Sequence, residues 1–347
     1  MIDTRHIINQ NKTLLEALSQ INSLYNVPLV LFVVDDDDKM IGTLTDGDSR
    51  RALIAGAQVS DKISKVCERN FNFLQEGRDY DVKHLRKQKE MKMRLIPVLD
   101  SQNHILEILN LEKYKTKLPV DAIIMAGGKG ERLRPLTEKM PKPLLKVGDK
   151  CIIDYNVDNL INCGIDHISV TVNYLGELIE EHYKNPRDGV KINIVREPKF
   201  LGTIGSVKFV PRYYHDVVLL MNSDLFTNVD LEDFYLHFIE HDADMSVAAI
   251  PYSVSVPFGI FDLDGRHVKG VIEKPTYNYY ANGGIYLIKK KMLDKYIPKD
   301  TFFNATDFME KLISGGYNVI RFPLSGYWID IGNKQEYQKA QDLVKHL

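Results

Sequence analysis

Residues 120–145 read VDAIIMAGGKGERLRPLTEKMPKPLL, and this stretch decides the fold of the C-terminal part of the chain. It begins with an apolar run at 121–126, typical of a buried strand, and continues into a loop with three glycines in the four positions 127–130. Glycine has no Cβ, so such a loop lets backbone N–H groups approach an anion closely. Open α/β sheets bind ligands where their strands end. The stretch therefore predicts a strand that presents an anion-binding loop at the edge of a sheet.

Strands and helices alternate in the sequence that follows. Short apolar runs predict further strands at 168–172, 192–195, 217–221 and 245–250. Apolar residues at helical spacing predict helices between most of them, at 152–163, 176–183 and 231–237. This alternation is typical of a mainly parallel sheet with helices on both faces. The sequence therefore predicts a Rossmann-like α/β domain over 120–347.

Length, charge and cysteine usage restrict the class of protein. At 347 residues the chain is long for one domain. The formal net charge is −2 with no basic block, which disfavours a nucleic-acid partner, because such binding needs a dense Lys and Arg surface. Three cysteines without disulfide or metal spacing favour a reducing cytoplasm, and no apolar run approaches the ~20 residues that span a bilayer. We expect a two-domain cytoplasmic protein that binds neither nucleic acid nor membrane.

The N-terminal segment, 1–117, contains two copies of a helix–strand–turn–strand–helix unit. Their strands are predicted at 27–34 and 41–44 in the first copy, and at 95–99 and 105–109 in the second. Residues 112–119 are polar, lack a core pattern and end in proline, so they are predicted to be the linker.

The glycine loop fits neither of two well-known phosphate-binding motifs. It lacks the G-x-x-x-x-G-K-[ST] pattern of the P-loop, and Leu133 stands where the dinucleotide motif G-x-G-x-x-G needs glycine. The second mismatch disfavours a Rossmann oxidoreductase. Arg132 and Lys142 nevertheless supply charge that suits phosphate groups. From the residues alone, a tight turn with solvated charges remains an alternative.

At its full length, the stretch 125–145 closely resembles the signature of the sugar-1-phosphate nucleotidyltransferases, a G-x-G-x-R-L loop followed by P-K-P-[LM]. The resemblance implies a fold of the nucleotide-diphospho-sugar transferase type. It also implies that the loop wraps a nucleoside triphosphate and that the lysine of P-K-P contacts the phosphates. The residues so assigned are Ala126, Gly127, Gly128 and Gly130 for nucleotide binding, and Arg132 and Lys142 for catalysis.

The resemblance extends over the whole of 120–347. Glu197 and Gly202 match a segment that lies beside the base and ribose. Asp224 and Asp330 match the family's two metal-binding aspartates, which implies catalytic roles for both and a nucleotide contact for Asp224. The implied cofactor is Mg²⁺, which prefers few carboxylates together with phosphate oxygens and water. From the residues alone, an aspartate at a strand end is also typical of a turn or helix cap.

Two further motifs match the family's sugar-phosphate site. They are E-K-P, with Glu273 and Lys274, and N-G-G, with Asn282 and Gly283. The implied reaction is attack by a sugar 1-phosphate on the α-phosphorus of a nucleoside triphosphate, which yields an NDP-sugar and pyrophosphate. Such a reaction needs no protein nucleophile, because the attacking phosphate is already anionic.

Residues 1–117 resemble a tandem cystathionine-β-synthase (CBS) domain pair, an α+β regulatory module. In such modules a [ST]-x-x-D motif, here Thr45 and Asp48, hydrogen-bonds a nucleotide ribose. The implied ligand is an adenine nucleotide or a related molecule, and the implied assembly is a homodimer. A helix N-cap explains both residues about as well. In the second copy Leu109 and Glu112 occupy the matching positions, so we expect one ligand site or none.

The donor and the acceptor stay open at the level of sequence. A nucleotidyltransferase with CBS repeats resembles the guanylyltransferases of bacterial surface-glycan and nonulosonic-acid pathways. This favours GTP with a hexosamine or hexose 1-phosphate, glucosamine 1-phosphate above all. The alternatives are a UTP-, CTP- or dTTP-using enzyme and a catalytically silent, nucleotide-sensing regulatory subunit. The silent subunit is disfavoured because the residues implied to bind metal and to neutralise phosphate charge are all present: Arg132, Lys142, Asp224, Lys274 and Asp330.

Overall fold

The computed structural model describes residues 3–25, 27–76, 82–112 and 116–346. Two compact units make up the chain, Met1–Thr116 and Lys117–Leu347. The boundary between them falls within the predicted linker, 112–119, of which residues 113–115 lie outside the described part. None of the described helices is both long enough and apolar enough to cross a membrane.

The N-terminal unit contains two small three-stranded sheets. Their strand orders are β1-β2-β3 and β4-β5-β6, where the first pair in each sheet is parallel and the second antiparallel. The elements are β1 (Ile7–Asn9), α1 (Leu14–Ser23), β2 (Val30–Val34), β3 (Met40–Thr45), α2 (Asp46–Ile54), β4 (Leu74–Gln75), α3 (Val82–Glu90), β5 (Leu95–Leu99) and β6 (Ile105–Asn110).

The two copies have the same strand register. Val30 pairs with Thr45 in the first copy, and Leu95 pairs with Asn110 in the second. Each hairpin has an irregularity at the same place, between Val33 and Val34 and between Val98 and Leu99. The predicted repeat is therefore visible in the backbone. The copies also share a core cluster, whose members are Phe32, Val34, Met40, Leu95, Leu99 and Ile105.

One alignment drawn from the sequence is wrong. The counterpart of Thr45 is Asn110 rather than Leu109, because Leu95 pairs with Asn110 in the second copy as Val30 pairs with Thr45 in the first, so the alignment drawn from the sequence is shifted by one residue. A single-residue shift moves every side chain to the other face of a strand, and the hydrophobic pattern does not show it. The counterpart of Asp48 is then residue 113, not Glu112, and lies outside the described residues.

The C-terminal unit is an α/β domain built on one large sheet. Its strands are β7 (Asp121–Ala126), β8 (Lys146–Val147), β9 (Lys150–Cys151), β10 (Ile168–Val172), β11 (Ile192–Arg196), β12 (Val217–Asn222), β13 (Leu225–Thr227), β14 (Met245–Ser255), β15 (Ile260–Asp264), β16 (His267–Ile272), β17 (Thr276–Lys289), β18 (Val319–Pro323) and β19 (Trp328–Asp330). Its helices are α4 (Ile152–Asn162), α5 (Gly176–His182), α6 (Leu231–Glu240), α7 (Lys290–Tyr296), α8 (Ala305–Ser314) and α9 (Lys334–Val344).

The large sheet is mixed but mostly parallel. Its strand order is β11-β10-β7-β12-β17-β14-β18, and β17 runs antiparallel to both of its neighbours. The remaining neighbours pair in parallel. The sequence pattern did not predict β17 as a strand, because Gly283 and Gly284 interrupt its apolar run. Side chains of β7, β12 and β17 meet those of α7 and α8 in a core that includes Ile123, Leu220, Tyr286, Met292, Leu293, Phe308 and Leu312.

Two strands extend beyond the sheet as a ribbon. The pairing of β14 with β18 ends at Ala249, so the rest of β14 pairs only with β17. The hairpin of β15 and β16 lies between them in the chain. Residues 251–281 are called the arm below, and none of them is buried.

Candidate active site

The glycine loop follows β7, and its shape depends on Gly130. This residue has a φ of 62°, which favours glycine. A Cβ at Gly130 would lie 3.0 Å from Thr137 Cγ2 and 3.1 Å from Lys142 Cβ. The hydroxyl of Thr137 donates a hydrogen bond of 2.8 Å to the Gly130 carbonyl. The loop is therefore folded against the segment that carries Lys142.

A cavity of about 630 Å³ opens beside this loop, a volume in the range of small-molecule sites. The segments that follow β7, β10, β11 and β12 all contribute to its walls, as expected where parallel strands end at one sheet edge. Eight residues of the predicted site line it: Gly127, Gly128, Gly130, Arg132, Lys142, Glu197, Gly202 and Asp224. Ala126 lies buried at the end of β7, immediately before the loop.

The backbone brings the two distant aspartates together. Strands β13 and β19 pair antiparallel, with Leu225 opposite Asp330. The Ile331 N–H donates a hydrogen bond of 3.1 Å to the Asp224 carbonyl. Asp224 therefore lies beside the end of β19, although the sequence separates the two carboxylates widely.

Lys142 contacts both carboxylates. Its side chain is only 10% exposed, and its Nζ forms an ion pair with the Asp224 carboxylate and lies 3.9 Å from Asp330 Oδ1. Burial and the neighbouring Asp224 raise the pKa of Asp330, against the opposing effect of Lys142 and Arg132. Burial and the neighbouring carboxylate therefore disfavour the charged form of Asp330 more than the two cations favour it.

The free oxygens of this pair fit a divalent cation. Asp224 Oδ1 and Asp330 Oδ1 are both buried, and neither has a hydrogen-bond partner among the described residues. Buried carboxylate oxygens without partners are unfavourable unless a cation or donor compensates them. Mg²⁺ takes oxygen ligands of this kind, usually one or two carboxylates. Asp224 and Asp330 are therefore the residues that would hold it.

Arg132 lies against the turn that follows β19. A Cβ at Gly332 would lie 3.1 Å from a guanidinium nitrogen of Arg132. Leu133 and Ile331 share a core cluster with Phe226 of β13. The apolar contact between Leu133 and Ile331 thus holds the guanidinium of Arg132 close to Asp330.

Glu197 is a buried carboxyl in the wall of the cavity. A Cβ at Gly127 would lie 2.6 Å from Glu197 Oε1, so the loop passes directly over this group. The Leu201 N–H donates a hydrogen bond of 3.3 Å to Glu197 Oε2. Burial raises the pKa of Glu197 to about 6, because the charged form loses hydration.

Gly202, in the same wall, has a φ of 79°. A Cβ there would lie 2.7 Å from the Phe303 carbonyl oxygen. The positive φ and the nearby carbonyl both favour glycine at this position. The cavity wall at Gly202 therefore lies close to the segment that precedes α8.

The four predicted sugar-phosphate residues separate into two pairs. Asn282 and Gly283 lie at the base of the arm, where Trp328 Nε1 donates a hydrogen bond of 2.9 Å to the Gly283 carbonyl. This contact connects them to β19, which ends at Asp330. Glu273 and Lys274 lie in the arm, are exposed, and do not line the cavity. Neither pair lines the cavity: the first pair lies at the base of the arm beside β19, and the second lies within the exposed arm.

Sequence reasoning missed several residues of the cavity wall. Asn173 follows β10, and Asn222 ends β12. Asn222 also packs closely against β17, since a Cβ at Gly284 would lie 2.5 Å from its Nδ2. The signal that would have found both is position: each is a polar residue at the carboxyl end of a strand in an α/β sheet. The other lining residues that the sequence did not assign to the site are Met125, Lys129, Glu131, Pro143, Phe200, Thr203 and Ser223.

Thr45 and Asp48 form a capping box at the start of α2. The Asp48 N–H donates a hydrogen bond of 3.1 Å to Thr45 Oγ1, and Asp48 Oδ2 accepts 2.8 Å from the Thr45 N–H. Asp48 also forms an ion pair with Arg51. The helix-cap alternative is therefore present in the structure. Asp48 and Arg51 additionally line an open cavity of about 410 Å³ together with Lys65 and Glu68.

A second cluster of ligand-type side chains lies at the start of α4. Atoms of Cys151, Asp154 and His182 are within 4.8 Å of one another. The Asp154 carboxylate, however, accepts 2.7 Å from the Tyr183 hydroxyl and lies 3.3 Å from the Arg187 guanidinium. These donors already satisfy the carboxylate, and the cluster ties α4 to the end of α5.

Known proteins share this C-terminal unit. Residues 121–346 match the family described as Nucleotidyl transferase. Over 235 residues the chain is 31% identical to the D-glycero-alpha-D-manno-heptose 1-phosphate guanylyltransferase of Aneurinibacillus thermoaerophilus, covering 65% of this chain and 99% of that protein. Over 225 residues it is 25% identical to the mannose-1-phosphate guanylyltransferase catalytic subunit beta of Xenopus tropicalis. That match covers 62% of each protein, so the chain spans less than two thirds of this relative.

The fold has relatives among solved structures. HddC from Yersinia pseudotuberculosis superposes with a TM-score of 0.51 at 26% identity, over 65% of this chain and 99% of that chain. The nucleotidyltransferase-type α/β fold expected from the sequence is thus confirmed, whereas the CBS interpretation of 1–117 stays a prediction. The chain belongs to the nucleotidyl transferase family.

Proposed function

We propose that this chain transfers the nucleotidyl group of a nucleoside triphosphate to a sugar 1-phosphate. The single observation that supports this best is the cavity lined by a glycine loop, the buried Lys142 and Asp224, with Asp330 beside the same lysine. This combination suits a polyanion with a bound cation. The homologous guanylyltransferases act, by their names, on sugar 1-phosphates.

The reaction requires the protein to bring two anions together, the nucleoside triphosphate and the sugar 1-phosphate. An oxygen of the sugar 1-phosphate bonds to the α-phosphorus, and the bond from that phosphorus to the pyrophosphate oxygen breaks. Positioning and positive charge are the main contributions that a protein makes to such transfers. Backbone N–H groups of the loop orient the triphosphate, and Lys142 and Arg132 offset its charge. Bound Mg²⁺, held by Asp224 and Asp330, would supply further charge neutralisation.

We propose GTP as the donor, and Glu197 is the residue that supports it. An ionised carboxylate only accepts hydrogen bonds. Guanine presents two adjacent donors, its N1–H and its 2-amino group, whereas adenine, cytosine and uracil do not. A buried carboxylate in the cavity wall therefore suits guanine among the four common bases. The names of the homologues from Aneurinibacillus and Xenopus agree with this assignment.

The acceptor is proposed to be a hexosamine or hexose 1-phosphate, glucosamine 1-phosphate first, for surface-glycan synthesis. Asn282 and the backbone of Gly283 would contact the sugar at the base of the arm. Glu273 and Lys274 belong to this proposal through the family resemblance. Because neither residue lines the cavity, a contact between them and the sugar phosphate requires the arm to approach the cavity.

The N-terminal unit is proposed to be a CBS pair that binds an adenine nucleotide or related ligand at Thr45 and Asp48. The identical strand register of its two copies supports this. Only the first copy carries the motif, so one ligand site is proposed. A homodimer formed through this unit is part of the same proposal.

The decisive experiment measures pyrophosphate release from GTP, ATP, UTP, CTP and dTTP with Mg²⁺ and a panel of sugar 1-phosphates. We expect GTP with glucosamine 1-phosphate to give the highest kcat/KM. The Asp330→Asn variant serves as the matched inactive control. Absence of pyrophosphate release with every pair would contradict the proposed activity, and a preference for another base would contradict the role of Glu197.

A further inference from the structure

Phe200 is the one aromatic residue among the described residues that line the candidate cavity. It is 52% exposed, so about half of a large apolar side chain stays outside the core. Leaving such a side chain exposed forgoes the free energy that its burial would provide. Aromatic rings in a concave wall with a few polar groups are typical of ligand pockets. The position of Phe200 therefore favours a contact between its ring and a molecule in the cavity.

The backbone next to Phe200 holds its ring at the surface. The following residue, Leu201, is fully buried, and its carbonyl accepts a hydrogen bond of 2.9 Å from the Phe303 N–H. Phe303 is buried as well, and its carbonyl accepts a hydrogen bond of 3.1 Å from the Ile204 N–H. Because these bonds join two segments of the chain, Phe200 cannot turn into the core without breaking them.

A second exposed ring, Phe302, packs against Phe200. The two ring centroids lie 5.9 Å apart, and the ring planes are inclined by 59°, within the range that aromatic pairs favour. Beside them, Lys199 Nζ lies 3.3 Å from Asp300 Oδ1 across the same two segments. Phe302 does not line the cavity. Of this aromatic pair, only Phe200 is therefore available to a ligand in the cavity.

The buried carboxyl group of Glu197 belongs to the same short segment as the ring. The Leu201 N–H donates a hydrogen bond of 3.3 Å to Glu197 Oε2, which connects this carboxyl to the residue next to Phe200. A nucleobase offers a polar edge to hydrogen-bonding groups and a flat π-face to aromatic side chains. A wall that carries a carboxyl and an aromatic ring on one segment therefore suits a nucleobase better than a sugar, which has no π-face.

We propose that Phe200 stacks on the base of the bound nucleoside triphosphate, while Glu197 contacts the edge of the same base. A purine overlaps a phenyl ring over a larger area than a pyrimidine does, so the stack favours purine nucleotides. The carboxyl group then selects guanine among the purines. This inference deepens the proposed function and rests on it in one respect, since it requires the cavity to bind a nucleoside triphosphate.

Isothermal titration calorimetry of the full chain with Mg²⁺ compares GTP with inorganic tripolyphosphate, which has the phosphates but no base. We expect Phe200→Ala to raise the Kd for GTP about 10- to 100-fold, as the loss of other base–aromatic stacks does, and to leave the Kd for tripolyphosphate unchanged. Phe200→Tyr keeps the ring and should bind GTP as the wild type does. Phe200→Leu keeps an apolar side chain without a ring and should bind GTP as weakly as Phe200→Ala.

The matched control is Phe258→Ala. It removes a phenylalanine that is also exposed but does not line the cavity, so neither Kd should change.

Wild-type affinity for GTP in Phe200→Ala or in Phe200→Leu would overturn the stack and leave the proposed function standing. An equal loss of affinity for GTP and tripolyphosphate, or an equal effect of Phe258→Ala, would also overturn it. If neither GTP nor tripolyphosphate binds the wild type, the proposed function itself is contradicted.

If Phe200→Ala loses its circular-dichroism signal, nuclear magnetic resonance of the wild type replaces it. We expect saturation of the aromatic protons of the protein to transfer to the carbon-bound ring proton of guanine in bound GTP. Absence of this transfer would overturn the proposal.

Discussion

At the scale of single residues, Asp330 and Asp224 should affect catalysis alike but stability differently. We expect either Asn variant to lower kcat by roughly 100- to 1000-fold, since charge stabilisation of the transition state is lost. Asp330→Asn removes a repulsion from Asp224, so its melting temperature should not fall. Asp224→Asn leaves the ammonium of Lys142 without its closest partner, at a cost of at most about 3 kcal/mol.

Pyrophosphate release and thermal melting of both variants measure these effects. Wild-type turnover in either variant would remove that residue from the candidate metal site. A fall in the melting temperature of Asp330→Asn as large as that of Asp224→Asn would contradict the assigned pairing with Lys142.

Glu197 gives the site a pH dependence with a definite sign. Because burial raises its pKa to about 6, the carboxyl could accept the two hydrogen bonds proposed from guanine only above that pH. We expect 1/KM for GTP to rise with pH through about 6 and then to level. Glu197→Gln should remove this rise with pH and increase the KM for GTP about 10- to 100-fold.

The contribution of Glu197 to folding stability should change with pH in the direction opposite to that of 1/KM. The folded chain holds the Glu197 proton more tightly than the unfolded chain, whose pKa is near 4.5. The stabilising contribution is therefore present below about pH 4.5 and is lost as the pH rises through about 6. Melting curves of wild type and Glu197→Gln across this window check the sign. Identical dependences of the melting temperature on pH would mean that Glu197 does not titrate in this window.

At the scale of structural elements, the glycine loop offers a matched pair of substitutions. Gly130→Ala places a Cβ 3.0 Å from Thr137 at a positive φ, so we expect a loss of roughly 1–3 kcal/mol. Gly128→Ala meets no atom within 4 Å and should leave the melting temperature unchanged. Differential scanning fluorimetry of the two variants decides this. Equal melting temperatures would show that the loop tolerates side chains at both positions.

Trp328 links two strands of the site, β19 and β17. Its indole N–H donates to the Gly283 carbonyl, and its strand carries Asp330 two residues later. Trp328→Phe keeps the ring but loses this hydrogen bond, so we expect the KM for the sugar 1-phosphate to rise about 10-fold. The KM for GTP should change little. Equal increases in both constants would assign Trp328 to general packing.

At the scale of the whole molecule, the N-terminal unit should stabilise the chain when its ligand binds. A ligand at about 100 times its Kd adds roughly 2.7 kcal/mol to the unit that binds it. We expect AMP or ATP to raise the melting temperature of the wild type. The Asp48→Ala variant should melt lower without ligand, because the capping box is broken, and should show no ligand-dependent rise. An equal rise in both proteins would place the ligand elsewhere.

The sequence by itself determined the local features of this protein. It predicted the strand at 121–126, the glycine loop, the repeat in the N-terminal unit and the alternation of strands and helices. These features depend on residues only a few positions apart, so periodicity and turn chemistry report them. Asp224 and Asp330 were named from a family resemblance, and no local pattern indicated that they would meet.

Only the tertiary structure decided which distant residues lie together. Examples are the antiparallel direction of β17, the pairing of Leu225 with Asp330 and the contact of Lys142 with both carboxylates. Each of them joins segments that are far apart in the sequence. The positions of Glu273 and Lys274 also depend on the tertiary structure. The family resemblance assigned them to the site, but they lie in the arm and do not line the cavity. Strand order and register are set by the packing of the entire core, which no segment contains on its own.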